Sequence, residues 1–364
     1  MKIEMFTLKN FRNYENESLT LTPGTNILVG SNGQGKTNIL EGIYYLLNGK
    51  SYRVQRETEL IRWGEHAFDL IGHFTAQKRP LVIKSHYEER RKMVEVNGIP
   101  IRKLSEYIGT INSISFSPDD LTMVKGGPSE RRRFLDRHIA QIRPGYVGVL
   151  NQYNKVLNQK GALLKSPLGE KEKKTQLTLW NAQLTELGGR IIRARFELVE
   201  ELQQKAQTIY ADIASNHEQL GMLYSSLGKN DLEQALKNFS CLLEAKMDEE
   251  IERQSIQVGP HRDDLILILQ GKSARLYASQ GQQRTIVLSL KLSQVELIRD
   301  DKAEYPLLLL DDVLSELDQF RRSFLLEFIR SYSIQTLLTM TNGEKLPPGQ
   351  AMFEIEKGSI RRQS

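Results

Sequence analysis

Residues 30–37 form a glycine-rich segment whose composition and spacing suit the phosphates of a nucleotide. In order they are Gly30, Ser31, Asn32, Gly33, Gln34, Gly35, Lys36 and Thr37. The glycines let backbone N–H groups converge on phosphate oxygens, and a following helix adds the positive end of its dipole. Lys36 would place a charge between the β- and γ-phosphates, and the Thr37 hydroxyl would ligate Mg²⁺. With a predicted strand before it and an amphipathic run after it, the segment predicts a site for ATP and Mg²⁺ rather than a chance turn.

An acidic pair, Asp311 and Asp312, ends the apolar run Leu307–Leu310. A fully apolar run of this length is typical of a buried parallel strand. Asp311 would hold Mg²⁺, directly or through water, and Asp312 would orient or deprotonate the attacking water. Taken alone, these acids are explained equally well by a turn. Together with the glycine-rich segment, they favour nucleotide hydrolysis over phosphoryl transfer to a substrate.

Residues 278–284 resemble the signature of ABC-type ATPases, usually written L-S-G-G-Q. Ser279, Gly281 and Gln282 keep the pattern, whereas Ala278 and Gln280 depart from it. Residues 313–318 resemble the D-loop of the same class. In that class the signature reaches the γ-phosphate bound by a second subunit, so the resemblance implies an ATP-dependent homodimer with Ser279, Gly281 and Gln282 acting in trans. A helix start with Ser279 as N-cap and Gln282 at the third helical position explains the same residues, and both interpretations can hold together.

The spacing between these motifs distinguishes branches of the class. Ser279 and Asp311 lie 32 positions apart (311 − 279 = 32), which resembles the SMC-like DNA-repair branch more than transporter subunits. Transporter subunits also carry a histidine after the last core strand, and residues 337–342 contain none. Thr339 and Thr341 are candidates to sense the γ-phosphate instead.

Four further segments make the chain similar to the RecF family of SMC-like ATPases from end to end. They are residues 8–14, 116–121, 126–136 and 259–265. The resemblance implies an ABC-type head, a helical arm in place of a long coiled coil, and binding to double-stranded DNA near gaps. It also implies cooperation with RecO and RecR to place RecA on single-stranded DNA. Asp312 stands where the ABC class usually has Glu, so slow hydrolysis is expected.

Several basic residues admit two interpretations. Arg12 would reach the nucleotide or the partner's phosphate, or form an ordinary surface salt bridge. Residues 131–133 are three consecutive arginines that cannot share one helix face; some would contact DNA or the dimer partner, while Arg132 or Arg133 would pair with Asp136. His261 is expected to be a structural hydrogen-bonding residue.

DNA contact is assigned only to groups of cations. The candidates are Lys78, Arg79, Arg90, Arg91, Lys92, Lys160, Lys165, Lys171, Lys173 and Lys174. For any one of them a solvated charged face is the simpler explanation. No base-reading motif is present, so the sequence predicts binding to DNA without sequence preference.

The order of elements predicts an α/β unit that a helical segment interrupts. Strands are predicted at 3–8, 26–29, 68–74, 81–87, 93–96, 265–269, 274–277, 307–310 and 336–339, and helices at 150–164, 175–214, 282–298 and 320–332. The fold class is an ABC-type P-loop ATPase head with a β-rich subdomain, interrupted by a helical arm domain. The head is expected over 1–118 and 256–364, and the arm over 119–255.

Composition limits the remaining alternatives. The chain has 364 residues and a net charge of +5, which is compatible with a polyanionic partner. The one cysteine, Cys241, excludes an internal disulfide and is expected to be buried. No run approaches about 20 apolar residues, so a cytoplasmic location is expected. An ABC transporter ATPase subunit and another P-loop phosphotransferase stay open as alternatives.

Overall fold

The computed structural model describes residues 1–214, 218–341 and 350–363. Its contacts divide the chain into two compact units, Met1–Asp120 with Lys291–Ser364, and Leu121–Leu290. The strands are β1 (Lys2–Phe11), β2 (Tyr14–Thr20), β3 (Thr25–Val29), β4 (Ala67–Ala76), β5 (Arg79–Glu88), β6 (Arg91–Val96), β7 (Ile99–Ile101), β8 (Ser113–Phe116), β9 (Leu220–Ser225), β10 (Asp264–Leu269), β11 (Lys272–Ser273), β12 (Leu307–Leu310), β13 (Thr336–Met340), β14 (Ala351–Glu356) and β15 (Ser359–Gln363). The helices are α1 (Lys36–Asn48), α2 (Thr122–Lys125), α3 (Pro128–Ile142), α4 (Tyr146–Leu164), α5 (Glu170–Ile213), α6 (Leu232–Ala245), α7 (Met247–Arg253), α8 (Ala274–Tyr277), α9 (Gln280–Lys302), α10 (Val313–Glu316) and α11 (Gln319–Ser331).

The first unit contains an antiparallel sheet with the strand order β2-β1-β4-β5-β6-β7. Alternation of apolar and polar residues buries one face of its strands, so that Phe6 and Leu8 of β1 join the same core as α1. The α1 residue Gly42 permits a close approach, because a Cβ there would lie 3.0 Å from the Phe6 ring. The turn Asn97–Gly98 joins β6 to β7, and both of its residues have positive φ (49° and 79°).

The second sheet of this unit positions the candidate chemistry. Its order is β15-β14-β3-β13-β12-β8, and β3, β13, β12 and β8 run parallel to their neighbours. All four leucines of β12 are buried, as the apolar run predicted. Carboxyl ends of parallel strands lie at one edge of a sheet. The glycine-rich segment 30–37 after β3, called the phosphate loop from here on, and the acidic pair after β12 are therefore brought to the same edge.

The second unit is mostly helical. The 44-residue helix α5 packs against α4 and α6, and a three-stranded sheet of order β11-β10-β9 completes the unit. Helix α6 buries Ala235, Phe239 and Leu243 at four-residue spacing, which leaves Cys241 on the opposite face. The expectation of a buried cysteine was therefore wrong, since Cys241 is exposed.

Two local predictions differ from the structure. Strand β9 lies inside the zone predicted to be helical, and residues 274–277 form the single helical turn α8 instead of a strand. The compact units divide the chain at 120 and 290, whereas the predicted domains divide it at 118 and 255. The boundary expected at 255 differs because β10 pairs along its whole length with β9, which keeps residues 264–269 with the helical unit.

None of the helices in the described ranges combines the length and apolar character needed to cross a membrane.

Candidate active site

The phosphate loop runs from the end of β3 to the first residue of α1, which gives the strand–loop–helix arrangement that the sequence predicted. Gly33 and Gly35 adopt positive φ angles of 81° and 118°, a conformation that side chains strongly disfavour. Gly35 is also confined, because a Cβ there would lie 2.6 Å from Asn13 Nδ2. These glycines therefore allow both the curvature of the loop and the close approach of its surroundings.

The Lys36 side chain lies inside this loop. It is 8% exposed, and its ammonium donates hydrogen bonds to the carbonyl oxygens of Gly30 and Ser31, the latter at 3.0 Å. A buried ammonium requires such partners. A bound triphosphate would offer stronger, anionic acceptors to the same group.

Two threonine hydroxyls converge on one carboxylate oxygen of Asp311. The Thr37 hydroxyl donates to Asp311 Oδ1 at 2.7 Å, and the Thr339 hydroxyl donates to the same oxygen at 3.1 Å. Burial raises the pKa of Asp311, while the two hydroxyl groups oppose that rise. The first contact joins residues 274 positions apart and brings the phosphate loop and the acidic strand end together.

The same residues suit a magnesium ion. The Thr37 hydroxyl and the Asp311 carboxylate are hard oxygen donors within contact distance of each other, and Mg²⁺ is commonly held by one or two protein oxygens together with substrate phosphates. No group of three His, Cys, Asp or Glu residues that would hold a metal by itself occurs in the part of the chain that the structure describes. The site therefore fits an ion that arrives with a nucleotide.

The second acid, Asp312, adopts a left-handed backbone conformation with φ of 52°. Its N–H donates to the Thr339 hydroxyl at 2.7 Å, and its carbonyl oxygen accepts from the Ser315 hydroxyl at 2.8 Å. Thr339 is 2% exposed and thus contacts both acids from within the core. Thr341, the other candidate to sense the γ-phosphate, also belongs to the described residues, whereas Asn342 lies outside them.

Arg12 pairs with Glu41, an acid that was not among the predicted site residues. Its guanidinium makes two hydrogen bonds with the buried carboxylate of Glu41, at 2.8 and 2.9 Å. Arg53 contacts the same carboxylate at 3.2 Å, and its charge lowers the pKa of Asp311 against the larger effect of burial. Arg53 and Glu41 thus belong to the site's surroundings. Neither lies in a recognised motif, so only their charge could have drawn attention to them.

The signature-like segment begins helix α9 in the second unit. The Ser279 hydroxyl accepts from Gln282 N–H at 3.3 Å, and the Gln282 side-chain oxygen accepts from Ser279 N–H at 2.7 Å. This reciprocal pair is a capping box, as the helix-start interpretation predicted. Ser279 is exposed and Gly281 is partly exposed, so the start of the helix is accessible.

The segment 126–136 has structural partners other than those predicted. Asp136 accepts two hydrogen bonds from Arg195, so the expected pairing with Arg132 or Arg133 was wrong. Arg132 instead donates to the carbonyl oxygen of Asp263, and Arg133 pairs with Glu130. The sequence could not identify Arg195, because it lies 59 positions away in α5.

His261 and two lysines are also fixed by the fold. The His261 ring contacts the Tyr153 hydroxyl at 2.8 Å, and burial lowers its pKa to about 4, in keeping with a structural role. Lys160 is fully buried and pairs with Glu250 at 2.6 Å, and Lys173 is 8% exposed with its ammonium on the carbonyl oxygen of Leu164. Both were wrong as DNA-contact candidates, because neither ammonium is accessible.

Comparison with known proteins identifies the family. The chain matches the family model described as RecF/RecN/SMC N terminal domain over residues 2–360. It is 56% identical to the DNA replication and repair protein RecF of Desulfitobacterium hafniense (strain DSM 10664 / DCB-2), with 100% of both chains covered. The chain belongs to the RecF family. It is also 39% identical to the RecF protein of Halalkalibacterium halodurans, again with 100% of each chain covered.

Solved structures agree with this assignment. A structure of the recombination mediator protein RecF with ATPrS covers 100% of this chain and 98% of its own, with a TM-score of 0.91 and 32% identity. An Smc head bound to the C-terminal winged-helix domain of ScpA has a TM-score of 0.59 and 17% identity, and covers 100% and 97% of the two chains. That second likeness concerns the fold alone. The predicted ABC-type ATPase head is confirmed.

Proposed function

We propose that this RecF-family protein is an ATP-dependent DNA-binding switch in recombinational repair. It is a weak, Mg²⁺-dependent ATPase of the cytoplasm. It forms a homodimer with ATP on duplex DNA near gaps and helps to load RecA together with RecO and RecR. The observation that carries this proposal is the hydrogen bond between Thr37 and Asp311, which unites the two halves of a phosphate site in a RecF-family chain.

Each part of the site has a role in this proposal. Residues 30–37 hold the phosphates, with Lys36 supplying the charge and Thr37 and Asp311 holding Mg²⁺. Asp312 orients the attacking water, and its short side chain accounts for slow turnover. Arg12, presented by Glu41, adds positive charge beside the loop. Bound Mg-ATP supplies a γ-phosphate that these groups activate for attack by water.

Dimerisation is supported by the surface around the signature-like segment. Ser279, Gly281 and Gln282 present an accessible helix start, whose backbone amides suit a phosphate bound by another copy. Directly before them, Leu276 is 72% exposed and Tyr277 is 70% exposed. Adjacent large apolar side chains in water are typical of surfaces that contact a partner.

DNA binding is supported by relatives named for replication and repair and by exposed cations. Lys78, Arg79, Arg90 and Arg91 are exposed on the antiparallel sheet, and Lys165 and Lys171 are exposed in the helical unit. Contacts of this kind with phosphates release counterions. We therefore expect affinity for duplex DNA to fall steeply as salt concentration rises and to depend little on base sequence.

Light scattering of the purified protein tests the switch. The mass is measured with Mg-ATP, with ADP, and with Mg-ATP plus duplex DNA carrying a gap. We expect a dimer with ATP, favoured further by DNA, and a monomer with ADP. A monomer under every condition would contradict the proposed action in trans.

The variant Ser279→Arg separates binding from dimerisation in the same experiment. We expect it to bind ATP with wild-type affinity, because it lies outside the phosphate loop, and to remain monomeric. Normal dimers of this variant would show that the signature-like segment does not contact a partner's nucleotide.

A further inference from the structure

The outer side of the phosphate loop is held by two parts of the chain far apart in sequence. The Gln34 carbonyl oxygen accepts a hydrogen bond from Asn13 Nδ2 at 2.9 Å and another from Gly358 N–H at 3.2 Å. The Gln34 side-chain oxygen accepts from Lys357 N–H at 2.7 Å. One residue of the loop is therefore fixed by the turn between β1 and β2 and by the turn between β14 and β15.

Gly35, the next residue in the loop, is fixed in a similar way. The Tyr14 hydroxyl donates to the Gly35 carbonyl oxygen at 3.0 Å, and Tyr14 is fully buried. In a trans peptide the carbonyl oxygen and the following N–H point in opposite directions. Holding the Gln34 oxygen on the outer side consequently turns the N–H group of Gly35 towards the inside of the loop. The Gly35 oxygen also accepts from the N–H groups of two residues in α1, so Tyr14 and the helix together set the direction of the Lys36 N–H.

The contact is close enough to depend on glycine at position 358. A Cβ on Gly358 would lie 2.4 Å from the Asn13 carbonyl oxygen, which is far inside contact distance. Asn13 has little freedom to move away, because its side-chain oxygen also accepts from Asn38 Nδ2 at 2.8 Å. A side chain at position 358 would therefore push on the segment that supports the loop.

We propose that Asn13, Tyr14 and the Lys357–Gly358 turn form an outer brace that holds the phosphate loop in its nucleotide-binding conformation. These are positioning residues, since they act through Gln34 and Gly35. The inference rests on the proposed binding of ATP. Amides in this part of a phosphate loop serve the inner phosphates, so the brace raises the affinity for ADP and ATP alike.

The chain contains a matched control for testing the turn. Asn97–Gly98 has φ angles of 49° and 79°, against 47° and 77° for Lys357–Gly358. A Cβ on Gly98, however, meets nothing within 4 Å. The variants Gly98→Ala and Gly358→Ala thus introduce the same backbone strain, and only the second disturbs the brace.

Calorimetric titration with ADP and with Mg-ATP measures the effect. We expect Gly358→Ala to bind both nucleotides about tenfold more weakly, roughly the loss of one hydrogen bond's free energy, and Gly98→Ala to bind like the wild type. Melting temperatures without nucleotide measure the effect on stability, which includes the same backbone strain in both variants and, in Gly358→Ala alone, the close contact with the Asn13 carbonyl oxygen. Equal affinities of the two variants would overturn the brace.

Two milder variants keep the test decisive if Gly358→Ala folds poorly. Asn13→Ala removes the side-chain donor to Gln34, and Tyr14→Phe removes one hydroxyl while keeping the buried ring. We expect several-fold weaker binding of both nucleotides in each, and wild-type affinity in both would refute the inference. A wild-type protein that binds no nucleotide would instead refute the proposed function, and the brace with it.

Discussion

The two compact units treat buried charge differently. In the helical unit two buried cations each meet an acid of their own: Lys160 lies on Glu250, and Arg195 on Asp136. Beside the phosphate loop, by contrast, two arginines share the one buried carboxylate of Glu41, and the Lys36 ammonium donates to carbonyl oxygens. Matched pairs stabilise the fold that contains them. Arginines that share one acid leave positive charge beside a loop of backbone amides for an anionic ligand.

Burying a charge costs free energy, so the difference between the two units can be tested by substituting the charged residues. A charge removed from water must be compensated by a partner, and deleting one partner leaves the other uncompensated. Substitutions in the helical unit should therefore change stability without changing nucleotide binding. Substitutions at the loop should do the reverse.

The largest effect is expected at the Lys160–Glu250 pair. Glu250→Ala leaves a buried ammonium without its carboxylate and should lower the free energy of unfolding by about 3 to 5 kcal/mol. Chemical denaturation monitored by circular dichroism measures it, and ATP affinity should be unchanged. In the matched double variant, Lys160→Met with Glu250→Leu, most of the lost stability should return. A double variant as unstable as the single one would show that charge is not the cause.

At the phosphate loop, Lys36→Ala should abolish measurable ATP binding. The loss of a charged contact to phosphate corresponds to about 100-fold in affinity or more, while the melting temperature without nucleotide should change little. The control is Lys50→Ala, which changes an exposed lysine just beyond the end of α1 and should leave ATP binding normal. Retained binding by the Lys36 variant would contradict the assignment of the loop.

A smaller effect is expected from Thr339→Val, which replaces the hydroxyl with a methyl group and keeps the side-chain volume nearly the same. Without this hydrogen bond the pKa of Asp311, already raised by burial, should rise further. The acidic limb of the pH–rate profile for ATP hydrolysis should then move to higher pH, so that the variant hydrolyses ATP more slowly than the wild type on that limb. Thr336→Val, in the same strand and equally buried, is the control. Identical profiles would show that Thr339 does not tune the acids.

The effect that is smallest at neutral pH concerns His261. Burial lowers its pKa from 6.5 to about 4, so between these values the unfolded chain binds a proton that the folded protein does not. Stability contributed by the neutral ring is thus present above pH 6.5 and is lost as the pH falls towards 4. Melting temperatures across this range should fall less steeply for His261→Gln than for the wild type. Replacing the exposed His66 with Gln should leave the slope unchanged.

The structural elements that were predicted correctly around the candidate site rest on information that is contiguous in the chain. The loop at 30–37, the buried strand Leu307–Leu310 and the capping box of Ser279 with Gln282 were all indicated by neighbouring residues. Glycine conformations, apolar runs and helix caps are local properties. The sequence by itself therefore determined the type of chemistry and the elements that flank it.

Only the tertiary structure decided which distant groups meet. Arg195 reaches Asp136, Lys160 is buried on Glu250, and the Lys357–Gly358 turn touches Gln34, which lies 323 positions from Lys357. No local pattern distinguishes a lysine that faces water from one that finds an acid inside the fold. The reason is physical: such pairings depend on strand order and helix packing. These bring together side chains whose contact is not indicated by the residues next to them in sequence.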